Sequence, residues 1–141
     1  MVLILPGCFE QPDCLINNTN ILKITLKGKT LGKDTTVAFI SIRDIKEPAA
    51  LYLNQALGSI QIPVQINDTV TTVVFEYTEK SLPVSDTLVV AYQNQTRVIS
   101  PDCGAYLYQI DVKIPKTNFE KTKVTNSILS TSATKNLEIF L

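Results

Sequence analysis

Histidine and tryptophan are missing from the chain altogether, and its 141 residues include only five glycines. Without histidine, Ser-His-Asp and Cys-His nucleophilic machinery is excluded, as are most zinc and iron ligand sets. The glycines form neither a Walker loop nor a dinucleotide fingerprint, both of which need glycine at fixed intervals to let backbone approach phosphate. No calcium-binding loop pattern occurs either. Thirteen basic residues cancel thirteen acidic ones, so no net field draws in nucleic acid or anionic lipid. No cofactor, no metal and no nucleic-acid partner is expected. Charged residues make up 18% of the chain, below the usual quarter. What is plentiful instead is Thr, Asn, Val, Ile and Leu in short alternating runs, the profile of a β-rich extracytoplasmic domain.

The stretch that organises these runs extends from Thr96 to Ile114 around Ser100-Pro101-Asp102-Cys103-Gly104. Tyr106, Tyr108, Ile110, Val112 and Ile114 occupy alternate positions, which predicts a strand with one buried face. Thr87 to Tyr92 predicts the strand before it, with Gln93-Asn94-Gln95 as a turn and the pentapeptide as a corner. Leu22, Ile24 and Leu26 alternate with Lys23, Thr25 and Lys27, and Thr36 to Arg43 is apolar on both faces. Ser59 to Ile66 and Val70 to Thr78 continue the pattern, and Val124 to Leu129 and Leu137 to Leu141 close it. Residues 44–58 carry Pro48 and Gly58 at helix-start and helix-stop spacing. Between strand neighbours they read as a loop with one helical turn. About 7–9 strands at short spacing, with no long helix, predict an all-β, immunoglobulin-like antiparallel β-sandwich in one domain.

The N-terminus, Met1 to Cys8, is apolar but well short of the roughly 20 residues that span a bilayer. Leu5-Pro6-Gly7-Cys8 resembles a bacterial lipobox, in which the cysteine becomes the lipidated first residue. The competing reading is an ordinary apolar terminus with an incidental buried cysteine. On the lipobox reading residues 1–7 are a signal-peptide remnant, 8–19 a tether, and 20–141 the sandwich. Lipid attachment at Cys8 leaves Cys14 and Cys103, and outside the cytoplasm such a pair is expected to form a disulfide. No Lys or Arg flanks either cysteine to lower its pKa, so a structural bridge is favoured over a reactive thiol.

Several landmarks together carry a family resemblance: Cys8 with Cys14, residues 20–24 (Asn-Ile-Leu-Lys-Ile), and 59–64 (Ser-Ile-Gln-Ile-Pro-Val). Others are 71–77, 86–92, 100–104 with the following strand, and the closing 136–141. In their order and spacing the chain resembles a family of small lipoproteins from Bacteroidota, known only as a domain of unknown function. The resemblance implies a lipoprotein with a β-rich fold and brings no activity, ligand or catalytic residue. The acidic run after the lipidated cysteine is reduced to Glu10 and Asp13, so it names no face of the outer membrane.

Candidate sites are few. A glycosidase works with two carboxylates, but Asp86, Asp102 and Asp111 fall at strand ends or on solvated faces, so no enzyme is expected. The triplets at Asn17, Asn67 and Asn94 read as turns. Tyr77, Tyr92, Tyr106 and Tyr108 lie on neighbouring strands and form the one candidate binding surface, an exposed row able to stack on a sugar or a partner. Tyr106 and Tyr108 share parity with Ile110 and Val112, which favours the core over an exposed row. The expected function is a non-catalytic envelope lipoprotein, anchored to the outer membrane by its N-terminal lipid. It would bind another protein or support an assembly; the alternative is an accessory that binds a small ligand or glycan. An exposed apolar patch would favour the first, and a concave pocket with convergent polar groups the second.

Overall fold

The computed structural model describes residues 19–100, 104–129 and 135–141. Nine strands account for most of them: β1 (Thr19–Lys27), β2 (Val37–Asp44), β3 (Tyr52–Leu57), β4 (Ser59–Gln65), β5 (Val70–Glu79), β6 (Leu82–Ser100), β7 (Gly104–Thr117), β8 (Lys121–Val124) and β9 (Lys135–Phe140). They form a four-stranded sheet in the order β4-β1-β9-β8 and a five-stranded sheet in the order β3-β2-β5-β6-β7. β1 and β9 run parallel; every other pairing of these strands is antiparallel. The all-β sandwich expected from periodicity is the fold found.

The core lies between the sheets. Leu22, Ile24 and Leu26 from β1, Ile60, Ile62 and Val64 from β4, and Leu137 and Ile139 from β9 form one wall. Facing them are Phe39, Ile42, Val73, Phe75, Leu88, Val90 and Val112. Strict alternation makes this possible: β4 has Ile60, Ile62 and Val64 buried and every residue between them exposed. A one-residue slip would turn all three outward.

Four expectations need correction. Residues 44–58 contain no helical turn; Tyr52–Leu57 is an edge strand paired with β2. Gly58 is not a helix stop. It joins β3 to β4 where the chain crosses between sheets, and a Cβ there would come within 3.1 Å of the Thr35 carbonyl oxygen. Second, Gln93-Asn94-Gln95 is no turn: β6 continues through it because β7 supplies partners as far as the Ser100–Gly104 pair. The corner does fall at the pentapeptide, whose residues 101–103 lie outside the description. Third, alternation in β7 is not continuous. Ala91 opposes Lys113 and Gln93 opposes Ile110, so two steps on β6 face three on β7. The extra residue marks a β-bulge, and Asp111 adopts φ 55°. The buried face therefore passes from Gln109 to Val112. Fourth, of the two closing strands the last lies where expected, as β9, but the one before it does not. β7 runs on to Thr117, β8 begins at Lys121, and 127–129 instead bonds to the side of β7 through Ser127 and Leu129.

Gln109 is fully buried and ties the sheets together at one end. Its Oε1 accepts from Asn20 Nδ2 of β1, and its Nε2 donates to the Gln65 carbonyl of β4 at 3.1 Å. Its own carbonyl accepts from Leu129 N at 2.9 Å. Gln109→Ala removes the hydrogen bonds to Asn20 Nδ2 and to the Gln65 carbonyl, each about 0.5–1.5 kcal/mol net, and leaves a cavity where the buried side chain was. Urea denaturation is expected to show a loss of about 2–3 kcal/mol; a loss below about 0.5 kcal/mol would show that these amides do not hold the sheets.

Candidate functional site

β1 carries the chain from one pole of the sandwich to the other, about 30 Å for nine residues at strand rise. At its start lie Gln65 and the β6–β7 arm, which extends past the end of β5. At its far end a pocket of about 370 Å³ opens. Five separate segments build the rim. Leu141 N donates to the Lys27 carbonyl and Lys29 N to the Leu141 carbonyl, both at 2.9 Å, extending the parallel β1–β9 ladder. Asn118 bonds Thr87 twice: its N donates to the Thr87 carbonyl at 3.0 Å, and its Oδ1 accepts from Thr87 N at 2.9 Å. That fixes the β7–β8 connection and drives Phe119 inward, edge-on to Phe75 with centroids 5.3 Å apart. Val37, Val84, Phe119 and Phe140 supply the apolar lining.

The polar lining converges from different strands. Tyr77 near the end of β5 donates its hydroxyl to Asp86 Oδ2 of β6 at 2.5 Å. Burial pushes the Tyr77 phenol well above its ordinary value, and the Asp86 hydrogen bond with the Asp86 and Glu79 charges pushes it further. Lys29 Nζ lies 2.8 Å from Glu120 Oε2. That hydrogen bond, with the charges of Glu120, Glu79 and Asp86, raises the Lys29 pKa against its desolvation. Glu79 lines the same pocket. A second pocket, about 280 Å³, lies beside the β2–β3 connection. There Lys46 reaches both Asp68 at 3.5 Å and the Val70 carbonyl at 3.2 Å, so its polar groups satisfy one another.

The tyrosine row is not assembled. Tyr77 is 7% exposed and Tyr92 only 4%, so both belong to the core. Their parity with Phe75 and Val90 turns them inward, and they lie towards opposite poles. Tyr92 bonds the Thr71 hydroxyl at 2.6 Å, and burial pushes its phenol up to about 12. Tyr108 is half-buried on β7, and the Tyr106 side chain lies outside the description. Of the four, Tyr77 alone lines the pocket. Asp86 is there too, on the inner face instead of a solvated one, whereas Asp111 occupies the exposed bulge. Cys8, Cys14, Asp102 and Cys103 lie outside the described residues. Sequence reasoning missed Lys29, Glu79, Asn118 and Glu120, which no local motif marks.

Among the described residues no group of three or more His, Cys, Asp or Glu is placed to hold a metal ion, and no helix is long and apolar enough to cross a membrane. Asp86→Asn removes a charge beside the Tyr77 hydroxyl while burial, the larger cause, remains. Ultraviolet titration of the phenol is therefore expected to show a partial fall in the Tyr77 pKa towards its ordinary value. An unchanged titration would mean that the carboxylate does not act on that hydroxyl.

Residues 39–141 match the sequence profile of a family of unknown function (DUF6452). No curated protein and no solved structure matches the chain.

Proposed function

The chain belongs to this family of unknown function, and from the geometry above we propose that it is a non-catalytic binding module of a bacterial cell envelope, held at an outer membrane by lipid on Cys8. The observation that carries this reading is the pocket, where Tyr77, Asp86, Asn118, Lys29 and Glu120 converge over an apolar base. Concave sites of this kind, a few placed polar groups on an apolar lining, are where small ligands bind. Two of its carboxylates are already held, Asp86 by Tyr77 and Glu120 by Lys29, an arrangement suited to recognition more than to proton transfer. A lipid at Cys8 would enter the fold through β1, whose far end is the pocket pole. The resemblance to small lipoproteins of Bacteroidota agrees with that anchoring.

A Cys14–Cys103 disulfide is part of the same reading. Asn20 Nδ2 reaches the Leu107 carbonyl at 3.4 Å. Cys14 is six residues from Asn20 and Cys103 four from Leu107, reaches of about 20 Å and 13 Å for extended chain. A bridge would fasten the tip of the β6–β7 arm to the tether.

The protein-binding or assembly role has its own observation. Val70 opposes Ala91, Thr72 opposes Val89, and Val74 opposes Thr87. These three cross-strand pairs form a weakly polar strip on the outer face of the larger sheet, with Val70 37% exposed and the rest half-buried.

Native mass spectrometry of the protein mixed with a small-molecule extract of its own cells tests the pocket. A ligand adduct is expected on the native chain and not on Val84→Trp, which fills the pocket, with Asp86→Ala as a second variant should the first fail to fold. Equal adducts on all three would remove the pocket reading. Intact mass of membrane-extracted protein is expected to carry acyl groups on Cys8, and a bare cysteine there would end the lipid anchor.

A further inference from the structure

We propose that the pocket at the far pole takes an amine: an ammonium group carried on a short apolar body, as in an alkyl diamine. This rests on the pocket being the ligand site and adds the class of ligand. The lining carries three carboxylates, Glu79, Asp86 and Glu120, against one ammonium, Lys29, a net of minus two when all are ionised. The four are not equally occupied. Lys29 is held by Glu120 at 2.8 Å, and Asp86 accepts one neutral hydroxyl, from Tyr77. Glu79 forms no ion pair among the described residues. A cation entering beside Asp86 and Glu79 meets two carboxylates with no counter-charge of their own. An anion meets only Lys29, already taken, and repulsion from the rest.

The field inside the pocket agrees with this count. Behind burial at Tyr77 and the Glu120 hydrogen bond at Lys29, the charges of Glu79 and Asp86 add to the upward pKa shift of both groups. Their negative potential thus reaches across the cavity from two strands. The apolar lining of Val37, Val84, Phe119 and Phe140 asks for a hydrocarbon part. Aromatic rings also attract ammonium groups through their faces, and Phe140 already carries Lys121 Nζ 4.4 Å from its ring centroid. Carboxylates on the rim with apolar residues below match an amine on an alkyl chain better than a phosphate, a carboxylate or a neutral sugar.

The test uses the full domain and three probes of similar length: 1,5-diaminopentane, 1-pentanol and hexanoate. Each is titrated at low ionic strength and followed by amide chemical shifts. The diamine is expected to move amides of 77–79, 84–86 and 118–120, to bind at least about five-fold tighter than either other probe, and to weaken as salt rises. Glu79→Gln, at an exposed position with no ion pair, is expected to weaken the diamine at least about three-fold with an unchanged circular dichroism spectrum. Hexanoate or pentanol binding in the pocket as tightly as the diamine overturns the amine class and leaves the pocket as a ligand site. Shifts that avoid these amides for every probe overturn both. Equal diamine affinity in Glu79→Gln overturns the role given to the carboxylates.

Discussion

Two faces of opposite sheets must stay in register over a single shared core, and at the pole where β1 begins that register depends on one side chain. Gln109 reaches from the larger sheet to both Asn20 and Gln65 of the smaller one. Apolar contacts are non-directional and would tolerate sliding, whereas amide hydrogen bonds in a low-dielectric interior do not. The bulge at Asp111 makes this possible. It turns Gln109 inward on one side of the extra residue and Val112 inward on the other, so a strand that begins as a projecting arm ends as a core strand. At the other pole the constraint is backbone: the parallel β1–β9 ladder is prolonged through Lys29 and Leu141.

A sandwich of open sheets also has edges, and this one blunts several of them. On β4 the Gln61 N–H and C=O both meet the Tyr52 hydroxyl at 3.1 Å, so a side chain from the other sheet takes the place of a partner strand. Pro63 next along has no N–H to offer, and the Gln65 carbonyl is occupied by Gln109 and Asp68. β8 is only four residues long and carries Lys121 and Lys123. Asn54 breaks the middle of β3 with φ 50°, although Leu53 beside it is 60% exposed. Lysines, proline, short strands and bulges are the means by which sheets avoid pairing edge to edge. On the binding reading proposed above, recognition would then use faces and pockets instead of added strands.

The fold class was legible because its signal is local. Alternation in β1, β4 and β5 is uninterrupted, and each buries the residues its periodicity names. What was not legible depends on neighbours. Gln93 to Gln95 has turn-like composition, yet β7 holds it extended. The β5–β6 turn lacks the Asn-Gly signal of a two-residue hairpin; Lys80 and Ser81 take positive φ, 50° and 65°, without it. Pro83 is tolerated because it lies where β6 pairs with β5 alone, since β7 joins it only from Leu88. The pocket was invisible for the same reason. Its polar groups come from positions 29, 79, 86, 118 and 120, brought together only when both sheets close.

The pocket and the blunted edges are two consequences of the same closure. At the pole where β1 begins the buried amides lock the sheets, and β6 and β7 run on as an arm. At the pocket pole no equivalent amide bridges the interior among the described residues. The sheets end instead in a strained two-residue turn, a connection pinned by Asn118 and a strand end capped by Lys29. The space between those ends is filled only in part, by Phe119 and Phe140, and what remains is lined by carboxylates that the core cannot take in. Ionised groups are not buried without partners, so they stay at the mouth. A sandwich tied at one end and splayed at the other puts its unmet charge at the open mouth of the pocket, where the proposed ligand would arrive first.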